Sequence, residues 1–281
     1  YCPGAIRVSP RFVRYRDVSR KGMGIFNELA PLVEPLSLDE AFLDITDRVT
    51  LAKPPKNIAR LLKWRVKDQL GLNISVGVAT NKSVAKIASD LDKPDGLTVV
   101  TPGTECEFLA SLPVGRIWGI GPKTQERLKM MGIEIIGELA KQSEDWMRQN
   151  FGRNGPQMRE FALGIDKRPI QTKRNTKSVS SETTLIQDTG DADALGELVN
   201  RLSHDVAVDL ERKNLWARTI KLKLRLSDFT TFTRQITLLE PVQTSDQIAE
   251  SANALLTSEL GPDPLFRLVG VGASSFEQST E

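Results

Sequence analysis

Ser37-Leu38-Asp39-Glu40 sets two adjacent carboxylates inside an otherwise apolar stretch, with Pro35-Leu36 before it and Ala41-Phe42-Leu43 after it. Neighbouring side chains of a regular strand point to opposite faces, so Asp39 and Glu40 can share a ligand only if the chain kinks or turns there. Such charges are costly to bury unless a cation neutralises them. Two carboxylates without a histidine suit Mg²⁺, a hard ion that keeps coordination positions for water and phosphate oxygens. Asp44 and Asp47 follow closely. The competing reading is that all four acids decorate the end of a strand, and spacing alone leaves both open.

The cations form a second group. The run from Asn81 to Gly96 follows a strand and is predicted to form a helix that ends before Pro94. Lys86 and Lys93 lie about two turns apart, so they could address one polyanion or be ordinary surface lysines. Farther on, Ile117-Trp118-Gly119-Ile120-Gly121-Pro122-Lys123-Thr124 opens a helix running to Met131. Pro122 sits in its first turn, where a missing N–H costs nothing. Glycines let a backbone approach closely, and the free N–H groups at the dipole's positive end make an anion site, with Lys123 beside it. A P-loop is excluded because Pro122 stands where the glycine before the lysine should be. A second glycine turn, Met131-Gly132-Ile133, follows one helix later. Paired short helices around G-x-G resemble the helix-hairpin-helix module, which holds a DNA phosphate without reading bases.

Scarce residues exclude other chemistry. His204 is the single histidine of the 281 residues, so neither a His-rich metal site nor a zincin helix can form. A Ser-His-Asp site would have to use His204, which lies in a helical stretch among charges. Cys2 and Cys106 are isolated, which rules out a zinc ribbon or a disulfide framework and suits a reducing cytoplasm. No apolar run approaches the roughly 18 residues of a membrane span, and no secretory signal opens the chain. Residue 1 is tyrosine, which leaves the natural start of the gene product open.

These residues need elements to position them, and the chain reads as three segments. In the first, helices are expected over Ser19–Leu29, Asn57–Leu70 (after Pro54-Pro55) and Ser83–Leu91. Extended stretches are expected over Leu36–Ile45, Ile74–Val78 and Leu97–Val100. Residues 116–165 read as short helices broken by glycine, with a net charge of +5 over 116–174. Lys167 to Thr176 carries four basic residues in ten and reads as a linker. The third segment shows β-α-β-β-α-β order, with strands near 176–185, 217–226, 231–239 and 266–275 and helices near 192–213 and 246–260, the split βαβ or ferredoxin-like arrangement. Ile220, Leu222, Leu224 and Leu226 should point one way and Thr219, Lys221, Lys223 and Arg225 the other, with Thr231, Thr233, Gln235 and Thr237 on the next strand. Helices covering the apolar side would leave an open sheet of Lys, Arg, Thr and Gln, suited to phosphate contacts or simply solvated.

The motifs together are specific enough to name a family. P-L-S-L-D-E-A-F-L-D at 35–44, S-V-G-V-A-T-N-K-S-V-A-K-I-A-S-D at 75–90, K-P-D-G at 93–96, I-W-G-I-G-P-K-T at 117–124 and K-S-V-S-S-E-T at 177–183 resemble Y-family DNA polymerases of the DinB, or polymerase IV, branch, in order and over essentially the whole chain. The resemblance implies an α+β multidomain right hand. It has a partial palm in 1–115, a small all-α helix-hairpin-helix thumb in 116–170, a basic linker in 171–176 and a ferredoxin-like βαββαβ little finger in 177–281. It implies damage-bypass DNA synthesis from dNTPs on a primer-template by a nucleotidyltransferase using two Mg²⁺ ions. Asp39 would be the metal ligand, with Glu40 beside the primer-end metal, and Lys93 with Lys86 would meet the triphosphate. Gly119, Gly121, Lys123 and Thr124 would lie on the primer-side backbone. Lys177, Ser178, Arg218, Lys221, Lys223, Arg225, Thr231 and Thr233 would lie along the template phosphates. A cytoplasmic, nucleoid-associated monomer is expected, reaching a sliding clamp through a region not in this sequence. The family opens with a D-x-D-x-F-F strand and fingers that do not precede Tyr1 here, so the chain is expected to be a fragment with little activity of its own. A non-catalytic Y-family-like adaptor is the alternative.

Overall fold

The computed structural model describes residues 2, 4–6, 8–173, 175–261 and 264–278, and backbone alone at 278. The chain divides into two compact units, Tyr1–Lys173 and Arg174–Glu281.

In the first unit, α1 (Phe12–Leu29) packs on α2 (Pro55–Leu70) through Ile25, Leu62 and Val66, which recur at helical spacing. Pro55 occupies the first turn of α2, and Gly71, at φ +69°, supplies the left-handed residue that ends it. The expected extended stretch Leu36–Ile45 is corrected. Strand β1 (Leu32–Pro35) turns and returns as β2 (Ala41–Asp44), an antiparallel pair with Glu34 opposite Phe42. The turn is closed by the N–H groups of Leu36 and Ser37, which donate to the Glu40 carbonyl at 2.8 and 3.3 Å.

Strand β3 (Val76–Val78) runs parallel to β4 (Leu97–Val99), with α3 (Lys82–Leu91) in the connection between them. Asn81 caps α3 by accepting the Val84 N–H at 3.1 Å. A Cβ on Gly77 would lie 2.0 Å from the Ala85 carbonyl oxygen, so α3 rests directly on β3. The opposite side of α3 (Val84, Ile87, Ala88) joins a core with Leu109, Leu128, Ile136, Leu139 and Met147. Those come from α4 (Glu105–Ala110), α5 (Pro122–Met130), α6 (Ile136–Ala140), α7 (Glu144–Phe151) and, with Met158 and Phe161, α8 (Gly155–Ala162). The short helices after residue 116 therefore have no core separate from α3.

The second unit has the expected element order: β5 (Ser178–Thr189), α9 (Ala192–Arg212), β6 (Leu215–Leu226), β7 (Thr231–Val242), α10 (Ser245–Thr257) and β8 (Phe266–Gln278). The sheet order is β5-β8-β6-β7 and every neighbouring pair is antiparallel. Each β-α-β crossover thus spans one intervening strand. The central pair is the second and fourth strand of the unit, not the first and third of the ferredoxin arrangement, which corrects that detail. Ile220, Leu222, Leu224, Val269 and Val271 are buried in one core with Leu195, Val199 and Leu202 of α9 and Ile248 and Ala252 of α10.

Candidate active site and nucleic-acid interface

The turn between β1 and β2 carries Asp39 near its tip and Glu40 where it rejoins the hairpin, so the chain turns between the strands as the sequence required for a shared role. Ser37 fixes the first of them: its hydroxyl donates to Asp39 Oδ1 at 2.6 Å. Glu40 Oε1 lies 3.2 Å from Lys86 Nζ on α3. Lys86 also pairs with Asp90 at 2.7 Å, and the other Asp90 oxygen takes Lys93 at 2.6 Å. Burial disfavours the Lys86 ammonium, but hydrogen bonds to Asp90 and Glu40, together with their charges, outweigh it and raise its pKa above an ordinary lysine. Burial likewise pushes Asp90 up, while its bonds to Lys86 and Lys93 prevail and hold it below the usual carboxylate range.

All four of these predicted residues border one cleft of about 930 Å³, whose walls include Phe26, Leu36, Leu43, Ile74 and Val76. The edges of β2 and β3 flank this cleft. Asp44 serves a local purpose instead: it accepts the N–H and hydroxyl of Thr46 at 2.9 and 2.6 Å, and those bonds lower its pKa.

Asp39 and Glu40 each keep one carboxylate oxygen without a partner among the described residues. That donor set fits a hard divalent cation whose remaining positions are filled by water or phosphate oxygens. Among the described residues no group of three or more His, Cys, Asp or Glu side chains could hold a metal by itself.

A shallow recess of about 430 Å³ borders Lys86 and Asp90 on one side and residues 115–121 on the other. Gly119 adopts φ +93°, a left-handed conformation that costs a non-glycine residue about 1–2 kcal/mol. A Cβ at Gly119 or Gly121 would meet nothing within 4 Å, so both stand open to an approaching ligand. Gly121 is the residue before α5, with Pro122 in its first turn, Lys123 exposed and Thr124 half-buried.

On the second unit, Lys221, Lys223 and Arg225 of β6 face Gln235, Thr233 and Thr231 of β7, on the side away from the helices. Ser178 opens β5 opposite Ser274, and Lys177 precedes it, exposed. Several cations of this face are already engaged. Lys223 pairs with Glu182 at 2.8 Å, Arg225 donates to the Thr231 hydroxyl at 2.7 Å, and Arg218 pairs with Glu277 at 3.1 Å and donates to the Leu239 carbonyl. Lys221 has no such partner among the described residues.

Sequence reasoning missed Ser37, Asp90 and Lys63. Asp90, spaced four residues from Lys86 and three from Lys93, was open to discovery by the helical ion-pair rule. Lys63 carried no such signal: its ammonium holds Asp95 Oδ1 at 2.5 Å and the Ile74 carbonyl at 2.6 Å, pinning the turn beside Lys93.

Known proteins resemble this chain in sequence and fold. Residues 1–90 match the impB/mucB/samB family, 102–133 the IMS family HHH motif and 176–281 the impB/mucB/samB family C-terminal domain. DNA polymerase IV of Alkalilimnicola ehrlichii is 41% identical over 273 residues, covering 97% of this chain and 77% of that relative. DNA polymerase IV of Halorhodospira halophila is 40% identical over 284 residues, covering 98% and 78%. Among solved structures, a Y-family DNA polymerase chimera, Dbh-Dpo4(243-245)-Dbh, superposes with a TM-score of 0.88 at 25% identity, over 99% of this chain and 80% of that one. An insertion ternary complex of Dbh DNA polymerase shares the fold at TM-score 0.65 and 22% identity, over 99% and 80%. With relatives this similar along nearly its whole length, the chain belongs to the impB/mucB/samB family of Y-family DNA polymerases, in the DNA polymerase IV branch.

Proposed function

We propose that this chain carries out template-directed addition of dNTPs to a primer 3′-OH, of the damage-bypass type. The observation that carries this reading is the convergence of Asp39, Glu40, Lys86 and Lys93 on one cleft, with the open glycines of the α5 loop reaching the same end of α3. A bound Mg²⁺ would supply Lewis-acid chemistry and positive charge toward the primer hydroxyl and the triphosphate. Asp39 and Glu40 are the residues that would hold it. Little covalent work then falls to the protein, so positioning and charge dominate.

Lys93 and Lys86 meet the triphosphate, and Asp90 spaces them. The backbone N–H groups around Gly119 and Gly121, with Lys123 and Thr124, hold one strand's phosphates at a helix N-terminus. The sheet holds the other strand through Lys177, Ser178, Lys221, Lys223, Arg225, Thr231 and Thr233, and Arg218 supports its edge. None of these contacts reads bases, which suits a site that must accept distorted pairs. In this reading residues 1–115 act as a partial palm, 116–170 as thumb, 171–176 as linker and 177–281 as little finger. The protein works as a cytoplasmic monomer on primer-template DNA and meets a sliding clamp elsewhere in the replication apparatus. No helix among the described residues is long and apolar enough to cross a membrane.

Primer extension on undamaged and abasic templates, with Mg²⁺ and all four dNTPs, tests the proposal. The chain is run as it stands and with the N-terminal segment of a longer relative fused ahead of it, each with and without Asp39→Ala. Extension by the fused protein that disappears with Asp39→Ala is expected. Tight primer-template binding without extension in a folded, fused protein would instead favour a DNA-binding adaptor.

A further inference from the structure

The first unit contains a buried polar cluster that the reaction above does not use. Glu34 on β1 is 3% exposed and Lys82, the first residue of α3, is 8% exposed. Their charged atoms lie 2.8 Å apart. Glu34 Oε2 also accepts the Gln171 N–H at 2.9 Å, and Lys82 Nζ donates to the Pro169 carbonyl at 2.8 Å. Just upstream, Arg168 makes a two-pronged contact with Asp166 at 2.8 and 2.7 Å. Asp166, whose side chain is 0% exposed, accepts the Ser83 N–H at 3.1 Å at the start of α3. Residues 166–171, which the sequence assigned in part to a linker, are therefore a strap fastened at both ends.

A column of aromatic and cationic groups runs beside the strap. Lys82 Nζ lies 5.6 Å from the Phe42 ring centre, and Phe42 lies 6.2 Å from Trp118. The Arg168 guanidinium sits 4.9 Å from Trp118 and 4.8 Å from Phe161. Phe42 follows Glu40 by two residues on β2, and Trp118 adjoins Gly119. The column thus joins the acidic turn to the glycine loop. One helical turn past Lys82, Lys86 reaches Glu40, so α3 grips the hairpin at two heights. Apolar packing could bury the same area, but it sets no direction. Hydrogen-bonded charges in a dry interior tolerate little displacement, because an unpaired buried charge is heavily penalised.

We propose that the 166–171 strap and the buried Glu34–Lys82 pair form a positioning device that holds the acidic hairpin and the glycine loop in fixed relation. The carboxylates and the phosphate-binding amides then act on one substrate. This rests on the roles proposed above for those two elements. Glu34, Lys82, Asp166 and Arg168 touch no substrate; they are positioning residues.

Native-state amide exchange on the full chain, read by mass spectrometry, tests it with Lys82→Met, Lys82→Arg, Arg168→Gln and the Lys82→Met/Arg168→Gln double variant. Lys82→Met and Arg168→Gln should each speed exchange about tenfold or more in both 36–41 and 117–121, while α2 and α7 keep wild-type protection. The double variant should exchange no faster than the worse single one, because the groups act as a unit. Lys82→Arg, which keeps the charge, should restore the wild-type pattern. A uniform rise across the first unit, a change in only one of the two loops, additive effects or no change would each overturn the proposal. If Lys82→Met fails to fold, Arg168→Gln decides alone, since Arg168 is 35% exposed and its removal empties no core. Primer-template affinity of the wild-type chain is measured in parallel. Its absence would sink the polymerase reading while leaving the exchange result interpretable.

Discussion

Asp39 and Glu40 are held by different means, and that difference sets what each substitution should do. Asp39 is aimed by the Ser37 hydroxyl and faces the cleft, so in the fused protein Asp39→Ala should lower extension by about 100-fold or more while primer-template affinity stays near wild type. Steady-state extension beside a binding titration checks both halves. Ser37→Ala leaves the carboxylate in place but frees it to rotate, and a smaller loss is expected. Asp90 acts by pairing both lysines. Its pKa is lowered by Lys86 and Lys93 against the opposing effect of burial, so the stability it contributes is present above its unfolded pKa and fades as pH falls through its lower folded value. Lys86 has the opposite sign: its raised pKa contributes stability below its unfolded value that is lost as pH climbs through the folded one. Asp90→Asn should therefore lower stability at neutral pH and flatten part of the acid limb of the stability curve below about pH 4. Urea melts across the acid range would show whether that limb changes.

At the level of elements, the sheet face is less cationic than its lysines and arginines suggest, because Glu182 and Glu277 lie on it. Lys221 has no partner there, whereas Lys223 is already neutralised by Glu182. Lys221→Ala should weaken duplex binding more than Lys223→Ala and reduce the log–log salt slope by about 0.9, the value of one phosphate contact. Glu182→Gln should tighten binding, since it frees Lys223 for a phosphate. Titrations between about 50 and 200 mM salt resolve all three; equal effects of the two lysine changes would refute the assignment. For the α5 loop, Gly119→Ala should cost about 1–2 kcal/mol through its left-handed backbone. The alternation of β6 was legible beforehand because one face needed a core and the other water. The engagement of its cations was not, because Glu182 is 41 residues away from Lys223 in the chain.

The whole molecule is two units with separate cores. Leu222 is fully buried in the second core, so Leu222→Ala should destabilise that unit by about 2–5 kcal/mol. Calorimetry should then show one transition moving down while the other stays, the signature of independently melting units. A single transition shifting as a whole would mean that the two cores melt together. Within the first unit the boundary anticipated near residue 115 does not coincide with a boundary of the core, since α3 buries Val84 and Ile87 among residues of α5 to α8.

Local chemistry alone determined a good deal. Periodicity placed most helices and the four strands of the second unit, proline and glycine marked their ends, and the D-E, N-K-S-V-A-K, G-I-G-P-K and K-P-D-G motifs identified the family. These features depend on residues within a turn or two of one another, which a linear reading captures. Tertiary structure alone decided that residues 36–40 turn the expected Leu36–Ile45 strand into a hairpin, that Lys86 meets Glu40, that Glu182 neutralises Lys223, and that residues 166–171 are laced to Glu34 and Lys82. The last three of those contacts join segments distant in sequence, and a charge acts on whatever folding brings within a few ångströms of it.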